Sequence, residues 1–353
     1  MNVWGNRLKL SIFGESHGPA VGVVVDGLPA GEAVDMAEVA REMGRRAPGR
    51  SDISTARRET DNVEIVSGLR DGVATGFPIC GLIRNRDARS GDYGSVLRPG
   101  HADWTALLKY RGYADMRGGG HFSGRLTAPL VFAGSLAKQA LARRGVEVLA
   151  RVVSVGGIAD AASPDTAERY RILSGEDFPA SRTCAEAMKD LIRSSGDSGD
   201  SVGGVVEAVA FGLPGGLGEP FFGSMESSVA SLLFSVPAVK GVEFGDGFRL
   251  TGMKGSEAND PIVIDGGAIT SRTNHCGGIL GGITNGMPLV VRAAIKPTPS
   301  ISLPQDSVDA PGTRGATLEI TGRHDPCVVP RAVPVVEACL ALCSLDAILT
   351  CGI

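Results

Sequence analysis

Residues 98–129, RPGHADWTALLKYRGYADMRGGGHFSGRLTAP, hold five Lys/Arg, two of the chain's five histidines and six glycines. Gly118, Gly119 and Gly120 run together, with Arg117 before them and His121, Ser123 and Arg125 after. Glycine lets backbone N–H groups approach an anion closely, and a helix N-terminus offers unpaired donors to it. An apolar run of helical character follows Ala128, so the pattern predicts a cradle for a phosphate or carboxylate. A surface loop of solvated charges is the alternative. A second basic cluster, Arg45, Arg46, Arg50, Arg57 and Arg58, falls within 14 residues. Arginine binds phosphate and carboxylate bidentately, which suits a polyanionic small molecule. Glu59 and Asp61 beside it leave a neutralised surface loop as the other reading.

Two further groups stand at turns. His17 lies in Gly14-Glu15-Ser16-His17-Gly18, at the end of a short strand, held in place yet reachable. Asp325 lies in Gly322–Cys327, between His324 and the last helix, where a carboxylate is either a base or an N-terminal cap. Histidine donates and accepts protons near neutrality. The sequence has no HExxH spacing, Walker A lysine, G-x-S-x-G elbow or kinase motif set. Arginine clusters, glycine turns and isolated histidines from distant segments point to one composite anionic pocket.

Those residues need a scaffold. Strands are predicted over Leu8–Phe13, Val21–Leu28, Val63–Val66, Pro78–Arg84, Val146–Val155, Val205–Leu213, Met287–Ile295 and Leu318–Thr321. Helices are predicted from Asp35, with Glu38 at capping-box spacing, and over Leu130–Arg144, Cys184–Arg193, Met225–Phe234 and Pro330–Leu349. Val239–Arg249, with Gly245-Asp246-Gly247 at its centre, reads as a hairpin, and Ser194–Ser201 as a loop. Regular βαβ alternation is missing, which favours α+β over a doubly wound sheet. No interdomain linker stands out, so one domain over 1–353 is expected, its halves a loose echo of each other short of a repeat.

Composition sets the outer bounds. Hydrophobic residues make up 43% of 353, enough for a large core. A net charge of −4 argues against general nucleic-acid binding. Seven cysteines without a C-x-x-C pair fit a reducing cytoplasm, with Cys339 and Cys343 as small core residues. The N-terminus lacks a signal-peptide pattern, and no apolar run of about 18 residues is expected, so nothing spans a membrane.

Several segments together resemble chorismate synthase. They are GESHG followed by VGVVVDGLPAG, then RPGHAD to Lys109-Tyr110, GGGHFSGRLT, AVKGVEFGDGF, TNHCGGILGG, KPTPS at 296–300 and GRHDPC at 322–327. They fall in the family's order across nearly the whole chain. The resemblance implies a lyase that converts 5-enolpyruvylshikimate 3-phosphate to chorismate and phosphate by 1,4-anti elimination. It implies reduced FMN without net redox change, and a homotetramer whose subunit sandwiches central helices between two antiparallel sheets. It further implies His17 as the acid for the departing phosphate, His101 beside flavin N1, and Asp325 as a base toward flavin N5. Arg46, Arg125 and Arg323 match anion-binding positions. Ser123, Ala238, Gly281, Lys296, Pro297, Thr298, Pro299, Ser300 and Arg323 match flavin contacts, as does the position of His121.

The chain also departs from the pattern. His121 stands where the family carries Arg, Leu126 where it carries Glu, and Asp52 at another arginine position, with Arg50 two residues earlier able to restore the charge. Leu126 removes a carboxylate expected to orient Arg125. Some family members reduce FMN themselves with NADPH. The glycines at 277, 278, 281 and 282 do not have dinucleotide-fingerprint spacing, so a monofunctional enzyme supplied with reduced flavin is expected. A flavin-dependent oxidoreductase and a non-catalytic anion-binding protein are the competing readings.

Overall fold

The computed structural model describes residues 2–49, 53–54, 59–86, 96–162, 164–310, 312–320 and 324–352. One antiparallel sheet is built from β1 (Val3–Trp4), β2 (Lys9–Gly14), β3 (Ala20–Asp26), β4 (Val63–Ser67) and β5 (Ile79–Arg84), in the order β1-β2-β3-β5-β4. A second contains β6 (Glu147–Val155), β7 (Ile158–Ala159), β8 (Gly204–Phe211), β9 (Val239–Phe244) and β10 (Leu289–Ile295), in the order β7-β6-β8-β10-β9. The helices that matter here are α1 (Met36–Arg46), α2 (Asp103–Tyr110), α3 (Thr127–Ala142), α4 (Ala167–Ser174), α5 (Arg182–Asp197), α6 (Met225–Ser235) and α7 (Val329–Cys351).

α3 and α7 pack on each other between the sheets, α3 against β3 and β5, α7 against β6 and β8. The expected α+β sandwich of central helices between two antiparallel sheets is therefore what forms. Both helices are apolar on nearly every side, as a helix buried all round must be. They approach closely at Gly134, where a Cβ would fall 2.2 Å from that of Ala338. Phe132 fills the hollow left by Gly81 on β5 and is fully buried. Burying such a side chain contributes roughly 1.5–3 kcal/mol.

The two halves share a topology. The order β2-β3-β5-β4 in the first sheet is matched by β6-β8-β10-β9 in the second. Each half supplies a helix (α1 or α6), a small hairpin (Leu69–Ala74 or Ile279–Thr284) and a closing central helix (α3 or α7). The loose echo in the sequence is thus a repeat of architecture, hidden because the connections differ.

Local expectations also shift. Asp35 caps α1 through Ala37 N–H, but Glu38 pairs with Arg41, and the Asp35 N–H is answered by Gln139 instead. The segment after β9 is not a hairpin: it turns into a 3-10 stretch, Gly247–Gly252, and β9 pairs with β10. α5 runs on to Asp197, through half of the expected loop. The late strand is Gly315–Leu318, paired with Gln305–Val308. α7 is long and apolar enough to cross a membrane by composition, with mean hydropathy 2.0, contrary to the expectation of no such run. It is the core helix of the sandwich, and 89% of that window is buried.

Candidate active site

The Gly118–Gly120 turn packs against side chains. All three glycines have positive φ (61°, 87° and 54°), which L side chains rarely adopt. A Cβ on Gly118 would fall 2.3 Å from Nε2 of His17, and one on Gly119 would fall 3.2 Å from Nε2 of His101. The two histidines are seated on adjacent residues of one turn. Gly119 and Gly120 are buried; Gly118 and Gly119 make room for the two imidazoles, and Gly120 for the Asp115 carbonyl.

The GESHG turn is stitched to this one. Ser16 N–H donates to Gly120 O (3.1 Å), and Nδ1 of His121 meets Gly14 O at 2.8 Å. A carbonyl only accepts, so Nδ1 of His121 carries the hydrogen and neutral His121 keeps Nε2 as an acceptor. Ser123 accepts from Arg125 N–H (3.2 Å) and caps the short turn Gly124–Leu126 that leads into α3. Nδ1 of His101 lies 3.2 Å from Asp103 at the start of α2, and Asp103 is gripped by Arg98. Burial alone would raise the Asp103 carboxyl, but the bonds from Arg98 and His101 hold it well below the usual range.

The basic wall is more closed than its sequence suggests. Arg46 and Arg125 are both buried, and both pair with buried Asp61. Arg46 also reaches Thr127 Oγ1 (3.1 Å), and Arg125 reaches Asn85 Oδ1 (2.9 Å). Burial opposes ionisation of Asp61, yet the two guanidiniums outweigh it and hold its carboxyl low. Burial pushes Arg46 down to about 10, against Asp61 and with Arg331 and Arg125 adding, so it stays charged at neutral pH. Arg331, on α7, donates to the Arg46 carbonyl (3.2 Å) and pairs with Asp325. Counted over these described residues, Arg46, Arg125 and Arg331 against Asp61 and Asp325 leave one positive charge, the sign an anionic ligand needs.

Sequence reasoning missed three of these groups. Asp61 looked like a surface counter-charge, whereas it is the hub of the wall and adopts φ 50°. Backbone of this kind tends to occur where structure over-determines a residue. Asn85, just past the predicted strand Pro78–Arg84, carried no motif signal. It donates to Glu15 O (3.0 Å) and Gly18 O (2.8 Å) while accepting from Arg125, tying the His17 turn to the wall. Arg331 carried no motif signal. Leu126 joins the core, and Arg125 finds its carboxylate in Asp61 instead. Arg45, expected in the anion cluster, turns away to Glu337. Arg50, Asp52, Arg57, Arg58 and Arg323 lie outside the described residues.

The 296–300 segment closes another side. Lys296 Nζ donates to Gly100 O, next to His101, and Lys296 N–H donates to the carbonyl of Ala238, which has φ 73°. Burial and Lys240 lower the Lys296 ammonium. A cleft of about 280 Å³ lies between Gly100, Ser201, Lys296, Thr298, Pro299 and Gln305. Thr298 Oγ1 and Gln305 Nε2 are buried there without a hydrogen-bond partner among the described residues, and so is Ser16 Oγ in the GESHG turn. Leaving such groups unsatisfied costs roughly 1–3 kcal/mol each, so they mark surfaces that a ligand would complete. In this cleft the Thr298 hydroxyl, the Gln305 amide NH₂ and the Lys296 ammonium are donors of the kind that suit the oxygens of the flavin that the resemblance implies. Ser300 is buried behind the cleft, Pro297 is exposed at its rim, and Gly281 stands at the tip of the Ile279–Thr284 hairpin, outside these linkages.

A larger cleft, about 780 Å³, opens beside Arg41, Glu42, Arg45, Lys138 and Arg171. Size favours it, but of the expected basic cluster only Arg45 lines it among the described residues, and these charged side chains already pair with carboxylates.

A sequence model of the family described as Chorismate synthase matches residues 8–349. A chorismate synthase of Thermococcus kodakarensis is 49% identical over 349 residues, covering 98% of this chain and 97% of that one. One of Korarchaeum cryptofilum is 47% identical over 352 residues, covering 99% and 97%. A solved structure titled "Crystal Structure of Chorismate Synthase" superposes with a TM-score of 0.78 at 29% identity, covering 98% of this chain and 93% of the other.

Proposed function

The chain belongs to the chorismate synthase family, lyases of the shikimate pathway, and on that premise we propose that it eliminates phosphate from 5-enolpyruvylshikimate 3-phosphate to give chorismate, with reduced FMN bound. One observation carries the reading most: His17 and His101 sit on adjacent residues of the Gly118–Gly120 turn, joined through Asn85 to a wall with surplus positive charge. The substrate brings a phosphate and two carboxylates, and that surplus favours its binding over a neutral analogue.

Within this reading His17 donates a proton to the departing phosphate, since its ring is held by packing against Gly118 and a positioned imidazole can act as a general acid. Arg46, Arg125, Arg50 and Arg323 hold the anion, with Asp61 fixing the first two. Asp325, oriented by Arg331, takes up a proton, and His101 holds or moves one at Nε2. His121, Ser123, Ala238, Gly281, Arg323 and residues 296–300 hold the cofactor, with Thr298 and Gln305 gaining the partners they lack. When bound, reduced FMN supplies electron density that helps the C–O bond break.

The same reading makes the chain one domain, because both sheets pack on a shared pair of helices, and assigns a cytoplasmic homotetramer supplied with reduced flavin from outside. Purified protein given chemically reduced FMN should release phosphate and chorismate without consuming reductant. Stoichiometric consumption of reductant would make it an oxidoreductase; no turnover at all would leave a binding protein. An aerobic assay with NADPH and FMN, and no added reductase, should give no product; turnover there would assign it a reductase activity as well.

A further inference from the structure

His101 is held from its far side by a residue that no part of the reading above uses. We propose that Asp103, clamped by Arg98, is a positioning residue that locks neutral His101 in the Nδ1–H tautomer and leaves Nε2 as the proton-accepting atom toward the site. This rests on the reading of His101 as a site residue.

The geometry is specific. Asp103 receives four donors: Arg98 N–H (2.9 Å), Nε (2.8 Å) and Nη2 (2.6 Å), and His101 Nδ1 (3.2 Å). An ionised carboxylate only accepts, so the hydrogen between the pair must sit on Nδ1. Asp103 is ionised because Arg98 grips it bidentately and because it opens α2, where a helix N-terminus favours negative charge. In a neutral imidazole the other nitrogen then carries a lone pair. That Cε1–Nε2 edge is turned to Gly119, beside the Gly118 seat of His17.

Arg98 adds a second constraint. Its three bonds to the carboxylate hold Asp103 in place against Nδ1 of His101. Gly100, between Arg98 and His101, is fixed from outside by Lys296, so the whole Arg98–Asp103 segment is braced between the glycine turn and the 296–300 cleft.

The test is nitrogen NMR on ¹⁵N-histidine-labelled protein without cofactor, about two pH units above the ordinary histidine pKa. Five histidines give few signals, and His101→Gln assigns the one that matters. The expected result is a protonated Nδ1 and a bare Nε2 in the wild type, shifting toward Nε2–H in Asp103→Ala. With reduced FMN, kcat should fall roughly 10- to 100-fold, the range for partners that orient a functional histidine, while KM changes less than about twofold. Asp103→Asn, which keeps the shape, should populate both tautomers. A wild-type His101 with Nε2–H, or a tautomer unmoved by either substitution, overturns the proposal. The wild-type spectrum decides even if a variant does not fold. A wild type inactive with reduced FMN defeats the functional reading and leaves the tautomer result standing.

Discussion

Arg45 and Arg46 are neighbours in sequence and opposites in the fold. Arg45 turns from the end of α1 to Glu337, a fully buried carboxylate in the middle of α7. There Lys138 Nζ (2.8 Å), Ala150 N–H (2.9 Å) and Ser174 Oγ (3.2 Å) complete the set, and Glu42 balances the second cation. Burial opposes ionisation of Glu337, but Lys138 and Arg45 outweigh it and keep its carboxyl low. Arg46 turns the other way, to Asp61, where two further arginines gather, surplus positive charge remains and Asn85 runs on to the His17 turn. One network is closed in that its charges balance, although Arg45 and Lys138 line the larger cleft; the other is open only in that, among the described residues, it keeps a positive charge and runs on to the His17 turn. A buried charge cluster marks function by what it leaves over, not by being buried.

Four perturbations would break or sharpen that contrast. His17→Ala, on the open side, should lower turnover about 10²- to 10⁴-fold with an unchanged melting temperature. Unaltered phosphate release would remove His17 from the chemistry. Glu337→Ala, on the closed side, should cost about 3–5 kcal/mol in denaturant unfolding by leaving Arg45 and Lys138 without their shared partner, with activity per folded molecule retained. The sign in pH follows: a carboxyl depressed on folding stabilises above its unfolded value of about 4.3, and that contribution is lost as pH falls through the lower folded value. Wild type should therefore lose stability through the acid range more steeply than the variant.

The arginines themselves give a smaller, cleaner split. Arg45→Met and Arg46→Met should both lower stability, but only Arg46→Met should raise KM for the anionic substrate, by about tenfold, or roughly 1.4 kcal/mol. Equal KM values would show that the open network is also purely structural. The smallest effects concern the glycines. Gly118→Ala should cost about 1–2 kcal/mol for its left-handed φ and also lower kcat, because its Cβ displaces His17. Gly124→Ala, with nothing within 4 Å of its Cβ, should stay within about 0.5 kcal/mol and serve as the control in thermal melts.

The sequence by itself determined the scaffold's strands and main helices and the α+β class, and it singled out His17, His101 and Asp325 as candidates, because periodicity, turns and dense local motifs are properties of short segments. Its local positive charge in an acidic chain raised the expectation of an anionic ligand. Tertiary structure alone decided which arginine does what: successive residues on a helix point about 100° apart, so Arg45 and Arg46 part company although their types are identical. It alone turned Asp61 and Asn85 from loop polarity into the hub of the wall, since their partners come from α1, the Arg125 turn and the GESHG turn. It made the apolar α7 a core helix, and it revealed the repeated topology that differing connections hide. Non-local partners, not residue types, carry that information.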